Sequence, residues 1–302
     1  MSDSRLLTIS PEVASALDAG EAVVALETAL VSHGFPDGAG VQVAGDAERA
    51  VRSGGATPAT IGVVNGTIRI GLSSEEISRF ADGTKVRKAG ARDLAACVTQ
   101  KALGATTVAG TLAAARLAGI CFMSTGGMGG VHRGFAKTLD ISADLAELAR
   151  TPVMVVSSGV KSLLDVGATV EALESLSVPV IGWQTDALPL FLADAGGPPL
   201  AARVESESEA ATVARNHWAL GREGGLLLTR PAEGAFSRAD AEAVIGAAVD
   251  DARSEGVSGQ ALTPYILDRV YERTGGRSAE VNRRLIVDNA GLAARVASAY
   301  AG

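Results

Sequence analysis

Between residues 106 and 182, short apolar runs alternate with helix-length stretches, and this alternation restricts the fold more than any other feature of the chain. Residues 106–109 read as extended, 112–118 as helical, 120–123 as extended, 145–150 as helical, 153–156 as extended, 169–176 as helical and 178–182 as extended. Strands separated by helices are joined by crossovers, which set the strands parallel in one sheet with helices on both faces. The expectation is an α/β fold of three layers, α/β/α, around a largely parallel central sheet. With 302 residues and no repeat, low-complexity tract or linker, residues 1–302 are expected to form a single domain with a full core.

The flanking segments fit this architecture. Ser10 and Pro11 mark a helix start, a capping hydroxyl before a proline at the first helical position, and this helix stops near Gly20. Residues 22–26 read as a buried strand ending in Glu27 and Thr28; a turn over 32–38 then leads into an amphipathic helix to about Arg52. Residues 60–64 and 67–70 flank Asn65-Gly66, which tolerates positive φ at both turn positions, so a β-hairpin is predicted. Next come a helix capped by Ser73 or Ser74 with Glu75 and Glu76 at its positive end, a short strand over 85–89 and a helix over 92–103. Beyond residue 188 the pattern predicts helices over 207–220, 238–254, 263–274 and 279–300, and a strand over 225–229.

Charge and composition exclude several classes of partner. A net charge of −7 with no basic run argues against binding a nucleic-acid polymer, although loop amides can still hold a small anion. No apolar run approaches about 18 residues, so no membrane span is expected. The polar start, Met1 to Arg5, does not resemble a signal peptide. Cys97 and Cys121 lie in apolar segments without metal-ligand spacing and read as reduced core residues of a cytoplasmic protein.

The residues able to carry chemistry gather where predicted strands end. In open α/β sheets ligands sit outside the carboxyl ends of the strands, and the stretch 124–161 puts glycines, hydroxyls, His132, Arg133, Asp140, Asp144 and Lys161 there. Glu27 closes another strand, as a solvated strand end or as a cleft carboxylate; burial would raise its pKa and let it act as an acid. Lys161 is a surface lysine or a nucleophilic amine, since a desolvated lysine forms a Schiff base with a sugar carbonyl carbon. Lys88 pairs with a phosphate or with solvent.

The run from Thr125 to Gly130 is dense enough in glycine for its amides to converge on an anion, yet it matches neither a Walker loop nor the dinucleotide fingerprint. His132 contacts a ligand or orders this loop. Asp140, Ser142 and Asp144 suit helix capping, and Asp140 equally suits a hard divalent ion held largely through water. Asn282 and Asn289 share roughly one face of the last helix, where each can bond a base or phosphate or cap a neighbouring loop.

Seven segments together resemble the pseudouridine-5′-phosphate glycosidase family, named for the indigoidine synthase A proteins. They are A-L-E-T-A-L-V-S-H-G-F-P (25–36), A-T-P-A-T-I-G-V-V-N-G-T-I-R-I-G-L (56–72), T-T-V-A-G-T (106–111), S-T-G-G-M-G-G-V-H-R-G (124–134), D-I-S-A-D-L (140–145), V-S-S-G-V-K-S-L-L-D (156–165) and G-W-Q-T-D (182–186). The resemblance runs from about residue 8 into the last helix. It implies an α/β/α fold, a homotrimer, and reversible cleavage of the C–C glycosidic bond of pseudouridine 5′-phosphate to uracil and ribose 5-phosphate.

Carried over residue by residue, the resemblance implies Lys161 as nucleophile and Glu27 as proton donor. It implies substrate contacts from Lys88, Val108, Ser142, Ala143 and Asp144, with Thr125, His132, Asn282 and Asn289 beside them, and one Mn²⁺ per subunit on Asp140. Some relatives carry a fused ribokinase-like kinase. This chain has no room for one, so the phosphate is expected to arrive on the substrate. Other readings are a related C- or N-glycosidase acting on another nucleotide base, and a non-catalytic sugar-phosphate sensor.

Overall fold

In a computed structural model of the chain, residues 6–193, 196–257 and 261–302 are described; the polar start over 1–5 lies outside them. Eleven strands form the sheet: β1 (Leu7–Ile9), β2 (Val23–Leu26), β3 (Thr57–Val64), β4 (Thr67–Ile70), β5 (Arg87–Ala89), β6 (Gly104–Thr106), β7 (Phe122–Ser124), β8 (Met154–Ser157), β9 (Val180–Trp183), β10 (Ala202–Val204) and β11 (Leu226–Thr229). Their spatial order is β1-β4-β3-β2-β7-β8-β11-β9-β10, with β6 on β3 and β5 on β6. Among the described strands, only β3–β4 and β3–β6 pair antiparallel. The largely parallel α/β/α expectation holds.

Side-chain alternation makes the two larger cores, one on each face of the sheet. Val24, Leu26, Phe122, Met154, Val156, Leu226 and Leu228 face one side, against Val43, Val51, Ala210, Ala214, Ile245, Leu285 and Val296 of the helices Gly40–Ser53, Glu207–Ala219, Arg238–Ser254 and Arg277–Ala301. Val23, Ala25, Met123, Val153, Val155 and Leu227 face the other side, against Val13, Leu112, Leu148 and Leu173 of the helices Pro11–Asp18, Val108–Ala118, Ala143–Ala149 and Val166–Ser175. Parallel strands covered on both faces are apolar throughout, and β2, β8 and β11 are buried at every position. No described helix is long and apolar enough to cross a membrane.

The hairpin forms as its turn chemistry dictates, with Asn65 at φ 53° and Gly66 at φ 81°. Elsewhere local chemistry moved boundaries. The extended reading of 106–109 is wrong after Thr106, because Thr107 caps a helix that begins at Val108, its hydroxyl accepting from Gly110 N at 3.3 Å. The helix expected over 92–103 is shorter, running Leu94–Thr99 and closing through Lys101 at φ 51° so that β6 can start at Gly104.

One detail of topology opens the sheet. β3 pairs with β2 through Thr57–Thr60, and farther along the same edge Gly62 and Val63 pair with β6. β2 and β6 therefore part beside Leu26, leaving the next residue, Glu27, at a crevice. Buried threonines bind the fork: Thr28 Oγ1 and Thr106 Oγ1 both donate to Ile61 O, at 2.8 and 2.7 Å, and Thr106 N donates to Thr28 Oγ1 at 2.9 Å.

Candidate active site

A cavity of about 440 Å³ lies at this fork, outside the carboxyl ends of β2, β6, β7 and β8. Glu27, Lys88, Val108, Thr125, His132, Asp140, Ser142, Ala143, Asp144, Lys161 and Asn282 all line it. The structure thus brings together every predicted site residue except Asn289.

Two loops supply most of the floor, and they continue the β7–β8 ladder as a parallel zip. Thr125 N donates to Val156 O (3.0 Å), Ser158 N to Gly126 O (2.9 Å), Met128 N to Gly159 O (2.9 Å) and Lys161 N to Met128 O (3.1 Å). Met128 and Val160 are both fully buried and anchor the zip from below. Lys161 is delivered to the cavity by this arrangement.

The glycines of the loop have a reason that the sequence did not disclose. None from Gly126 to Gly130 has positive φ. A Cβ on Gly127 would stand 2.8 Å from Phe191 Cδ2 and 3.3 Å from Lys161 Cγ, and one on Gly129 would stand 2.3 Å from Ser142 Oγ and 2.6 Å from Asp144 Oδ2. Close packing against neighbouring side chains selects glycine here. The amides of Gly126, Gly127 and Gly130 have no hydrogen-bond acceptor among the described residues, so the anion-binding reading remains chemically open.

Gly159 is a different case, with φ 79° and Pro189 O only 1.9 Å from where a Cβ would sit. Gly159→Ala is expected to destabilise the protein by about 3 kcal/mol or more, lowering Tm by several degrees in a thermal melt. Gly167→Ala, in a helix with no atom closer than 3.8 Å to the new methyl, should leave Tm unchanged or raise it slightly.

Glu27 is 7% exposed, and its Oε1 accepts a 2.5 Å hydrogen bond from Thr125 Oγ1. Burial pushes its carboxyl above the ordinary range, against the opposing pull of Lys161, the Thr125 hydroxyl and Lys88, while the Asp144 charge pushes it further up. Lys88, half-buried on β5, is pushed below the usual lysine range by burial and by the Lys161 charge. Asp144 is buried, and its two oxygens accept from Ala109 N at 2.9 Å and Gly129 N at 3.1 Å. It thus ties the start of the Val108–Ala118 helix to the glycine loop. Ser142 caps the next helix by accepting from Asp144 N at 3.2 Å.

Asn289 stands behind the site and does not line it. It is fully buried, and its Nδ2 donates to Thr125 O at 2.9 Å, to Ser158 Oγ at 3.2 Å and to Gly126 O at 3.4 Å. The expectation of a substrate contact is corrected accordingly. Nearly two turns of helix carry Asn289 past the cavity, whereas Asn282 reaches it. Sequence reasoning also missed Phe191, a cavity residue in the left-handed region at φ 57°, held there by its N–H to Ser158 O at 2.9 Å. Nothing in the sequence signals it, since phenylalanine is among the residues least suited to positive φ.

Among the described residues no group of three His, Cys, Asp or Glu could hold a metal ion. Asp140 presents its carboxylate at the cavity beside His132, whose Nδ1 is 3.8 Å from Asp140 Oδ2. Burial holds the His132 imidazole below its usual range against the Asp140 charge. One carboxylate fits a hard cation that keeps most of its water and shares a substrate phosphate, and does not fit a caged zinc site.

The family model for indigoidine synthase A-like proteins matches residues 12–299. The chain belongs to that family. It is 46% identical over 297 residues to the pseudouridine-5′-phosphate glycosidase of Deinococcus radiodurans, covering 98% of this chain and 95% of that one. The pseudouridine-5′-phosphate glycosidase of Geobacillus kaustophilus is 45% identical, covering 96% of this chain and 97% of its own. Among solved structures, the prealnumycin C-glycosynthase AlnA in complex with ribulose 5-phosphate superposes with a TM-score of 0.89 at 39% identity, covering 98% of this chain and 97% of that one. An indigoidine synthase A-like protein of Thermotoga maritima gives 0.88 at 30% identity, with 99% and 97% covered. The overall fold is therefore shared with solved structures that are 39% and 30% identical to this chain.

Proposed function

We propose that the protein is a pseudouridine-5′-phosphate glycosidase that reversibly cleaves the C–C glycosidic bond of its substrate to give uracil and ribose 5-phosphate. The observation that carries this reading is the convergence of Lys161 with a buried Glu27 of raised pKa in one cavity, in a chain whose relatives under that name match it end to end.

A carbon leaving group departs poorly, and a lysine circumvents the difficulty. Lys161 Nζ bonds to C1′ as the C1′–O4′ bond breaks, and Glu27 gives its proton to O4′. The nitrogen then loses a proton to the Glu27 carboxylate. Its lone pair forms a C1′=N iminium as the electrons of the C1′–C5 bond pass into the uracil ring, which takes up a proton at C5. Water hydrolyses the imine and frees ribose 5-phosphate and Lys161. Two close carboxylates, the equipment for an oxygen leaving group, are replaced here by one lysine and one carboxylic acid. The free amides near Gly126 and Gly127 and the Lys88 ammonium suit the phosphate. Asp140 would hold Mn²⁺, which supplies charge neutralisation and ordered water when bound. The same reading makes the molecule a cytoplasmic homotrimer with one Mn²⁺ per subunit, testable by sedimentation and metal analysis.

Incubation with uracil, ribose 5-phosphate and Mn²⁺ should yield pseudouridine 5′-phosphate, identified by mass. Borohydride added with ribose 5-phosphate alone should place a sugar-phosphate mass on Lys161. Folded protein giving no turnover in either direction with any divalent ion tried, or a label on another lysine, would defeat the reading. The likeness to a C-glycosynthase at 39% identity favours one second reading, a different aromatic acceptor in place of uracil; acceptor competition separates the two. A sensor would bind sugar phosphate tightly without turnover.

A further inference from the structure

We propose that Asn289 is a positioning residue for this reaction, clamping from the last helix the two loops that present the acid and the nucleophile; this rests on the roles just proposed for Glu27 and Lys161. All the hydrogen bonds of its carboxamide among the described residues go to those loops. Nδ2 donates to Thr125 O at 2.9 Å and to Gly126 O at 3.4 Å on one side, and the amide meets Ser158 Oγ on the other, at 3.2 Å from Nδ2 and 3.3 Å from Oδ1. Each contact lies one step from the chemistry. Thr125 is the residue whose hydroxyl holds Glu27. Ser158 opens the turn through Gly159 that leads to Lys161, and its own N–H returns to Gly126 O at 2.9 Å.

A fully buried amide side chain is retained where its bonds are all met, and one carboxamide here satisfies two loop carbonyls and one hydroxyl. Without it, Thr125 O and Gly126 O would lose their link to the helix, and the Thr125 hydroxyl would be free to turn from Glu27. The groups that face Glu27 are Thr125, Lys161, Asp144 and Lys88. Thr125 and the two lysines favour its ionised form, so slackening Thr125 lets the carboxyl titrate higher.

The test compares Asn289→Ala and Asn289→Asp with Ser298→Ala. Ser298 fastens the same helix through Gly54 O and Gly55 O, at 3.2 and 3.0 Å, and has no contact with the site. Both Asn289 variants should lower kcat about 10- to 100-fold, as loss of a supporting hydrogen bond does at other preorganised sites, with KM for ribose 5-phosphate unchanged. The alkaline limb of the kcat profile should move to higher pH. The ¹³C chemical shift of the Glu27 carboxyl should titrate higher in step, a readout that holds even if the substrate is another nucleotide. Ser298→Ala should lower Tm and move neither. Should an Asn289 variant fail to fold, Ser158→Ala cuts one arm of the clamp and should give the same changes in smaller measure. Variants that lose Tm but keep wild-type kcat and Glu27 titration would reduce Asn289 to a structural strut and overturn the proposal. Failure of the wild type to form a borohydride adduct at Lys161 would instead strike the functional reading.

Discussion

Lys161→Ala is expected to abolish turnover, by on the order of 10⁴-fold or more, because the covalent route through Lys161 vanishes. The backbone contribution of the residue survives, since Lys161 N still donates to Met128 O, and the fold should lose about 1 kcal/mol or less from the missing stem. The charges left behind respond predictably. Lys161 pulls the Glu27 carboxyl down and pushes the Lys88 ammonium down, so its removal raises both. Activity by product mass, a thermal melt and titration of the Glu27 carboxyl by its ¹³C shift would check the three parts. Retained turnover at even a hundredth of wild type would exclude Lys161 as the nucleophile.

Glu27→Gln is expected to cost about 10²- to 10⁴-fold in kcat, the usual contribution of a positioned general acid, and to stabilise the protein at neutral pH. The sign follows from burial. The folded-state pKa of Glu27 is raised, so between the ordinary carboxylate range and that raised value the folded protein holds a proton that the unfolded chain has released. Stability is full below the unfolded pKa and falls as pH rises through this window. Glutamine does not titrate and can still accept from Thr125 Oγ1, so the variant escapes the loss. In the wild type the donor must be protonated, and turnover should decline as pH climbs through the same raised value. Parallel pH profiles of Tm and kcat for the two proteins test both statements; identical Tm profiles would mean that Glu27 is not the buried acid described.

Much of this is legible in the sequence alone. Alternating apolar and helical periods gave the parallel three-layer sheet, Asn65-Gly66 gave the hairpin, and strand ends carried Glu27 and Lys161 to one place. The three-residue edge strands β1 and β10 escaped notice because so short a run holds no period of its own; pairing with Thr67–Ile70 and with β9 makes them strands. The glycine run suggests converging amides, yet its spacing is dictated by Phe191, Ser142, Asp144 and Thr169, side chains distant in sequence. Asn282 and Asn289 look equivalent on paper. Only the packing of the last helix across β7 and β8 places one in the cavity and the other behind it.

The clamp by the last helix also orders events in time. Glu27, Thr125, Ser158 and Lys161 all leave the ribosome while the helix Arg277–Ala301 is still to be made. Domains fold as units, so the loops of the acid and the nucleophile are fixed in place only once Asn289 has been made.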